Sequence, residues 1–372
     1  MLEIKVVSSK KDQKVFVDLP WLLYEGDPMW VPPLKMAVND LLNKKKHPFY
    51  QTSETELWVA YKNGVPAGRI MAIHNRAWNE FHDDKKGFFG FYESVNDMEV
   101  SNKLLETAQN WLKQHGLNEM EGPVNPSTNY ECGTLVDGFD DPPQIMMTYN
   151  PPYHDQLLQK SGLRKTKDLY AWLLQLDKVK GLPEIMTKIA ERAMARNKIT
   201  FRHVNKKDWT NEVQRMHDVY NSAWEKNWGF VPMSKDEFFH TAKDLKGVVD
   251  QDLVQFIEVD GETAGFIVTL PDLNQILHKN PTGKLLPAIL KILNRKKHVN
   301  RMRTITLGMK EKFRKSGFET ILYVKSFEAG IKNGYKEVEM SWILEDNLPM
   351  NKPIERMGSK LYKTYRIYSK AI

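Results

Sequence analysis

Cysteine is almost missing from this chain: Cys132 is the single one among 372 residues. One thiol cannot form an internal disulfide, so a disulfide-stapled secreted scaffold is excluded. No apolar run approaches the roughly 18 residues that a membrane span requires. The first residues, Met1-Leu2-Glu3-Ile4-Lys5-Val6-Val7, lack the basic start, apolar middle and small-residue cleavage site of a signal peptide and read as a first strand. A cytoplasmic protein is expected. The Walker loop, the Gly-x-Ser-x-Gly elbow and the Gly-x-Gly-x-x-Gly fingerprint are all absent, which removes the usual signatures of P-loop nucleotide binding, serine hydrolysis and dinucleotide binding. No histidine near Cys132 would activate it. His74, His82, Asp83 and Asp84 are metal-binding residue types without a recognised ligand spacing, so no metal is expected.

Charge is unbalanced. The formal net charge of +7 favours anionic partners. The basic runs Lys44-Lys45-Lys46 and Arg295-Lys296-Lys297-His298 are not interleaved with aromatics, which argues against a nucleic-acid groove. The length suits two domains, each with its own core. In the first, strands near residues 56–61 and 67–73 flank an Asn63-Gly64 turn, and residues 87–92 form a third strand. Residues 98–115 place Val100, Leu104, Leu105, Ala108, Trp111 and Leu112 on one helical face, stopped by Gly116. The second half repeats the order, with a strand at 201–204, helices at 213–223 and 235–245, and a hairpin turned by Asp260-Gly261. The expected class is α/β, two tandem domains each with a twisted mixed sheet flanked by helices, over residues 1–176 and 199–372, joined by a linker and connecting helix at 177–198.

The C-terminal seventy residues carry the clearest site. A strand at 303–308 leads into Lys312-Phe313-Arg314-Lys315-Ser316-Gly317-Phe318 and then a helix. Such a turn aims unpaired backbone N–H groups and the positive helix end at one spot, which suits a pyrophosphate. A second strand, 337–344, ends at Asp346-Asn347, and Gly358 lies eleven residues beyond Asn347. This order resembles the coenzyme A half of the GNAT acyltransferases, whose loop Gln/Arg-x-x-Gly-x-Gly/Ala grips the pyrophosphate; here it reads Arg314-x-x-Gly317-x-Glu319. The resemblance implies donor contacts from Arg314, Lys315, Ser316, Gly317, Phe318 and Asn347, and an oxyanion donor near Gly308 and Met309. The family's acid, a tyrosine, would fall at Ile354.

Acceptor candidates come from two irregular segments. Residues 122–153 are too polar for a simple connector; Asn125, Ser127, Asn129 and Glu131 offer short polar groups, and prolines with Asx-turns explain the same composition. In the second half, Glu225 lies between Trp224 and Trp228, where partial burial would raise its pKa and make it a base for an amine. Asp272 is the second base candidate and Asn274 a substrate contact, with helix capping the competing role for both. Residues 283–300 interleave Leu and Ile with six cationic residues counting His298. That composition suits an interfacial helix on an anionic membrane, a cover over an acyl chain, or a helix packed on the sheet.

Longer phrases narrow the resemblance. Asp27-Pro28-x-Trp30-Val31-Pro32-Pro33-Leu34, Gly68-Arg69-Ile70, Gly87-Phe88-Phe89-Gly90-Phe91, the 122–153 segment and Asn227-Trp228-Gly229-Phe230-x-Pro232 resemble the YghO-like GNAT proteins, a group that includes bacterial ceramide synthases. The resemblance implies acyl-CoA as co-substrate and transfer of a fatty acyl group to a sphingoid-base amine; the basic, Leu- and Ile-rich 283–300 segment adds the expectation of peripheral contact with an anionic membrane at its inner surface. An acetyl-CoA-dependent N-acetyltransferase of a small molecule or peptide, or a non-catalytic protein keeping the fold, are the alternatives.

Overall fold

The computed structural model describes residues 1–196 and 198–372. It contains two compact units: Met1–Leu169 with Leu277–Pro287 and Lys363–Ile372, and Tyr170–Ile276 with Ala288–Tyr362. The expected division at 176 and 199 is contiguous, whereas these units interleave along the chain. Each is an α/β unit.

The first unit runs β1 (Leu2–Val6), α1 (Lys10–Leu23), α2 (Lys35–Leu41), β2 (Ser53–Lys62), β3 (Val65–Asn75), α3 (Arg76–His82), β4 (Lys86–Ser94), α4 (Met98–Gln114) and β5 (Glu119–Gly122). Short strands β6 (Val124–Asn125), β7 (Glu131–Cys132) and β8 (Thr134–Asp137) follow, then α5 (Tyr153–Lys160) and the long β9 (Arg164–Gln175). Strands β1 to β4 pair antiparallel in sequence and β4 pairs parallel with β5. The β2–β3 turn works because Asn63 and Gly64 both take positive φ, 52° and 81°, which matches the twist of the flanking strands. The Asp97 side chain caps α4, accepting from Glu99 and Val100 N–H. Val100, Leu104, Leu105, Ala108 and Leu112 bury the helix's apolar face against Ile70, Ala72 and Phe89 of the sheet. Each fully buried Leu of this kind contributes about 1.5–3 kcal/mol.

The second unit repeats the plan: α6 (Glu184–Arg196), β10 (Ile199–His203), α7 (Trp209–Trp224), α8 (Lys235–Leu245), β11 (Val254–Val259), β12 (Glu262–Pro271), α9 (Asn274–Leu277), α10 (Leu286–Leu293), β13 (Arg301–Met309), α11 (Phe318–Lys332), β14 (Glu337–Leu344), α12 (Leu348–Arg356) and β15 (Lys360–Ala371). Strands β10 to β13 are antiparallel and β13 pairs parallel with β14. The expected connecting helix is α6, and it packs Ala190 and Ala193 with Phe318, Ile321 and Leu322 of α11. The last strand returns to the first unit, where Tyr368 to Ala371 pair with β5.

Candidate active site

Two parallel strands part in the second unit. The β13–β14 register runs from Arg301↔Glu337 to Thr304↔Met340 and stops, although β13 continues to Met309. On its other edge β13 follows β12 throughout, but the register slips between Val268↔Thr306 and Thr269↔Thr304, so Ile305 has no partner in either ladder. The edge of β13 from Ile305 onward therefore faces a gap rather than a strand. Trp224, the last residue of α7, lies against Gly308 so closely that any side chain there would collide with its ring. Tyr220 and Phe266 extend this aromatic wall, with ring centroids 4.9 and 6.3 Å from Trp224.

Beyond Met309 the chain makes the turn read from the sequence. Lys315 and Gly317 have φ of 62° and 83°, and α11 begins with no side-chain cap. Thr320 and Ile321 N–H return to the Gly317 carbonyl at 3.1 and 3.4 Å. Phe318 and Glu319 supply the remaining first-turn amides, a positive helix end flanked by exposed Lys315 and Ser316. Lys310 and Lys312 both pair with Glu262, at 3.0 and 2.5 Å. Arg314, expected as a phosphate ligand, instead donates from Nε to the Met309 carbonyl at 3.2 Å and from Nη2 to the Ala223 carbonyl, tying the loop to the end of α7. Glu319 lies one helical turn before Tyr323, whose phenol is shifted upward by burial and then by that carboxylate.

The first unit closes the equivalent place with its own chain. Its β4–β5 register ends at Phe88↔Glu121. Asn125 of β6 then accepts the Phe91 N–H at 2.7 Å, and a side chain at Gly90 would strike the Val124 carbonyl. The helix that follows is capped by Asp97, which also pairs with Lys62. Most of the 122–153 segment is likewise strapped down. Asn150 accepts the Leu135 N–H at 2.6 Å, and Lys363 donates to the Asp141 and Pro142 carbonyls. Asn125 thus serves the backbone of β4, the reverse of the substrate-facing role expected. Asn129 N–H bonds Ser127 Oγ at 3.2 Å, and Glu131 pairs in register with Asn125.

Glu225 is exposed at the C-terminus of α7, so the burial between Trp224 and Trp228 that motivated it as a base does not occur. Trp228 is half-buried. Asp272 is 2% exposed; its Oδ1 accepts the Asn274 N–H at 3.2 Å, the capping role, and its own N–H bonds the Arg301 carbonyl. Asn347 starts α12 without a side-chain cap, its carbonyl accepting from Asn351. Cys132 is buried.

Sequence reasoning missed two buried polar clusters. In the second unit, fully buried Glu339 accepts from Ser341 Oγ and the Tyr362 hydroxyl, while Arg303 Nε donates to Ser341 at 2.8 Å and sits 3.4 Å from Glu339. Arg303 and Glu339 are partners in the β13–β14 register, one step before the strands part. In the first unit, Tyr24 donates to Glu93 at 2.9 Å and Arg69 lies 3.6 Å from it. Burial pushes the Glu93 carboxyl up to about 7, against the opposing pull of Arg69. Burial also pushes His154, bonded to the Ser94 backbone, down to about 4. No spacing signal marks either cluster, because pairing across strands assembles them.

A strand order of four antiparallel strands, a helix and a parallel fifth strand parting beside it, repeated twice, defines a tandem GNAT-fold protein. The solved tandem GNAT protein from the clavulanic acid biosynthesis pathway matches with a TM-score of 0.60 and 14% identity, over 100% of this chain and 98% of that one. No family model matches the sequence. The chain is 35% identical to the bacterial ceramide synthase of Caulobacter vibrioides, over 100% of this chain and 98% of that protein. It is 33% identical to Protein YghO of Escherichia coli, over 99% and 95%. The chain belongs to the family of these two proteins.

Proposed function

We propose that this chain is an acyl-CoA-dependent N-acyltransferase that transfers a long-chain acyl group to the amine of a sphingoid base. The observation that carries the reading is the contrast between the units: an uncapped helix beside parted strands in the second, a capped helix beside filled strands in the first. The relative named bacterial ceramide synthase supports the choice of acyl group and acceptor.

In this reading the pyrophosphate meets the Phe318 and Glu319 amides with Lys315 and Ser316, and the pantetheine arm runs along the free edge of β13 as an added strand would. The thioester carbonyl then lies near the register slip at Ile305, whose N–H, unpaired in either ladder, can stabilise its oxyanion in place of the expected Gly308 and Met309, which pair with Phe266 and Gly265 of β12. The amine attacks the carbonyl carbon, and the thiolate leaves. Trp224 and Tyr220 offer the acyl group an apolar wall.

A base must lie near that carbonyl. Glu339 aligns with Arg303, two positions from Ile305, or about 7 Å along a strand; Asp272 aligns with Arg301, about 13 Å away. Glu339, reached through Ser341 and the half-exposed Tyr362 hydroxyl, is therefore assigned to take the amine's proton. The purified chain, given long-chain acyl-CoA and a long-chain 2-amino alcohol, should release coenzyme A as free thiol and form an amide whose mass is that of the two substrates less coenzyme A. Thiol release from acetyl-CoA with small amines alone would make it an N-acetyltransferase, and no release with any pair would make it non-catalytic.

A further inference from the structure

Helix α10 carries apolar residues on its outward side as well as its inward one. Its leucines Leu286, Leu290 and Leu293 are 82%, 75% and 73% exposed, while Ala288 is the residue it buries. Spacing of four and then three residues puts the leucines within one narrow arc, so they form a continuous apolar stripe facing outward. The opposite face, with Ala288 buried and Leu285, Ile289 and Ile292 half-buried, is the inward side of a packed helix, and the leucine stripe is additional to it. Scattered exposed leucines need no explanation, but a stripe of three does.

Along the chain, the charge flanking the helix is of one sign. No Asp or Glu occurs between Asp272 and Glu311, and Lys279, Lys284, Lys291, Arg295, Lys296 and Lys297 fall within that stretch. With Arg301, Arg303 and Lys310 the stretch carries nine Lys and Arg and no carboxylate, so it contributes +9 against a chain total of +7. Lys284, Lys296 and Lys297 are exposed. The segment leading into the helix is fixed rather than loose. Trp21 Nε1 donates to the Pro281 carbonyl at 2.7 Å, Lys35 N–H to the Gly283 carbonyl at 2.9 Å, and Asn280 Nδ2 to the Lys284 carbonyl at 2.7 Å. Trp21 also packs so tightly on Gly283 that no side chain would fit there. Leu286, which follows this anchored segment, is thus presented on a fixed support, which lowers the ordering cost of binding.

We infer that α10 docks the protein on an anionic lipid bilayer, the three leucines entering the headgroup–acyl boundary and the exposed Lys284, Lys296 and Lys297 meeting the negative headgroups. An apolar stripe alone would suit any apolar partner. The one-signed cationic flank selects a surface dense in negative charge, and a bilayer offers both features in one plane. This inference stands on exposure and charge and does not depend on the reaction proposed above.

Vesicle cosedimentation of the full chain tests it. Phosphatidylcholine vesicles containing phosphatidylglycerol should bind the protein at least about tenfold more tightly than pure phosphatidylcholine, with the difference shrinking as salt rises. The Leu286→Ser, Leu290→Ser, Leu293→Ser triple variant should lose at least about tenfold in affinity for the anionic vesicles, as should Lys284→Ser, Lys296→Ser, Lys297→Ser. Both variants should keep the parent melting temperature, since these side chains are largely exposed. Absence of binding by the parent chain overturns the inference, and so does a leucine variant that binds like the parent. A parent dimer in light scattering that the leucine variant converts to monomer, without vesicle binding by either, would assign the stripe to a second copy of the chain instead.

Discussion

Glu93 and His154 titrate against each other in the first unit, and stability should show it. The Glu93 carboxyl has its pKa raised on folding from 4.5 to about 7, so its contribution is complete below pH 4.5 and is lost as pH rises through 7. The His154 ring has its pKa lowered from 6.5 to about 4, so its contribution is complete above pH 6.5 and is lost as pH falls toward 4. Between pH 4.5 and 6.5 the two slopes oppose. Glu93→Gln should unmask a urea midpoint that climbs with pH across that window, where the parent chain is flatter. An unchanged profile would mean that Glu93 is not titrating there. In the second unit, Glu339→Gln should lower turnover about 100-fold, the lower range of general-base loss, with acyl-CoA affinity kept, while Glu225→Gln stays within about twofold. Loss in the Glu225 variant alone would restore the exposed carboxylate as base. The reason Glu225 stood out in the sequence was its neighbours, Trp224 and Trp228. Adjacency says nothing about which side of a helix end a carboxylate takes. Arg303 and Glu339, by contrast, meet only through parallel pairing, and no local pattern announces that.

The helix starts after β4 and β13 differ in one respect that decides their chemistry. Asp97 occupies the N-terminus of α4, and Gly317 leaves that of α11 to other anions. Asp97→Ala should cost about 1 kcal/mol of stability, the usual value of an N-cap, measured by urea unfolding. Lys315→Glu should leave stability within about 0.5 kcal/mol but weaken acyl-CoA binding about tenfold, read by titration calorimetry. Equal binding would remove the α11 turn from the donor site. These elements were plain in the sequence. The bounds of β14 and α8 follow directly from alternation and helical period, and the Asn63-Gly64 and Asp260-Gly261 turns from their residue types. What β6 does was not plain. Asn125 was legible as a polar group in an irregular segment, but its bond to Phe91 N–H depends on where the chain goes after β5, and several returns fit the same prolines.

Across the whole molecule, one strand order occurs twice with opposite outcomes. One copy fills the space beside its parting strands with Val124 and Asn125; the other leaves it bounded by Trp224 and a basic turn. No described helix is long and apolar enough to cross a membrane. The repeated strand order with one filled copy accounts for two similar halves and only one donor motif in the sequence pattern. Hydrogen–deuterium exchange on the full chain, with and without long-chain acyl-CoA, addresses this asymmetry directly. The amides of residues 305–309 and 315–321 should slow on binding while those of residues 89–99 stay unchanged. Protection at 89–99 without protection at 315–321 would contradict the assignment of the donor to the second unit.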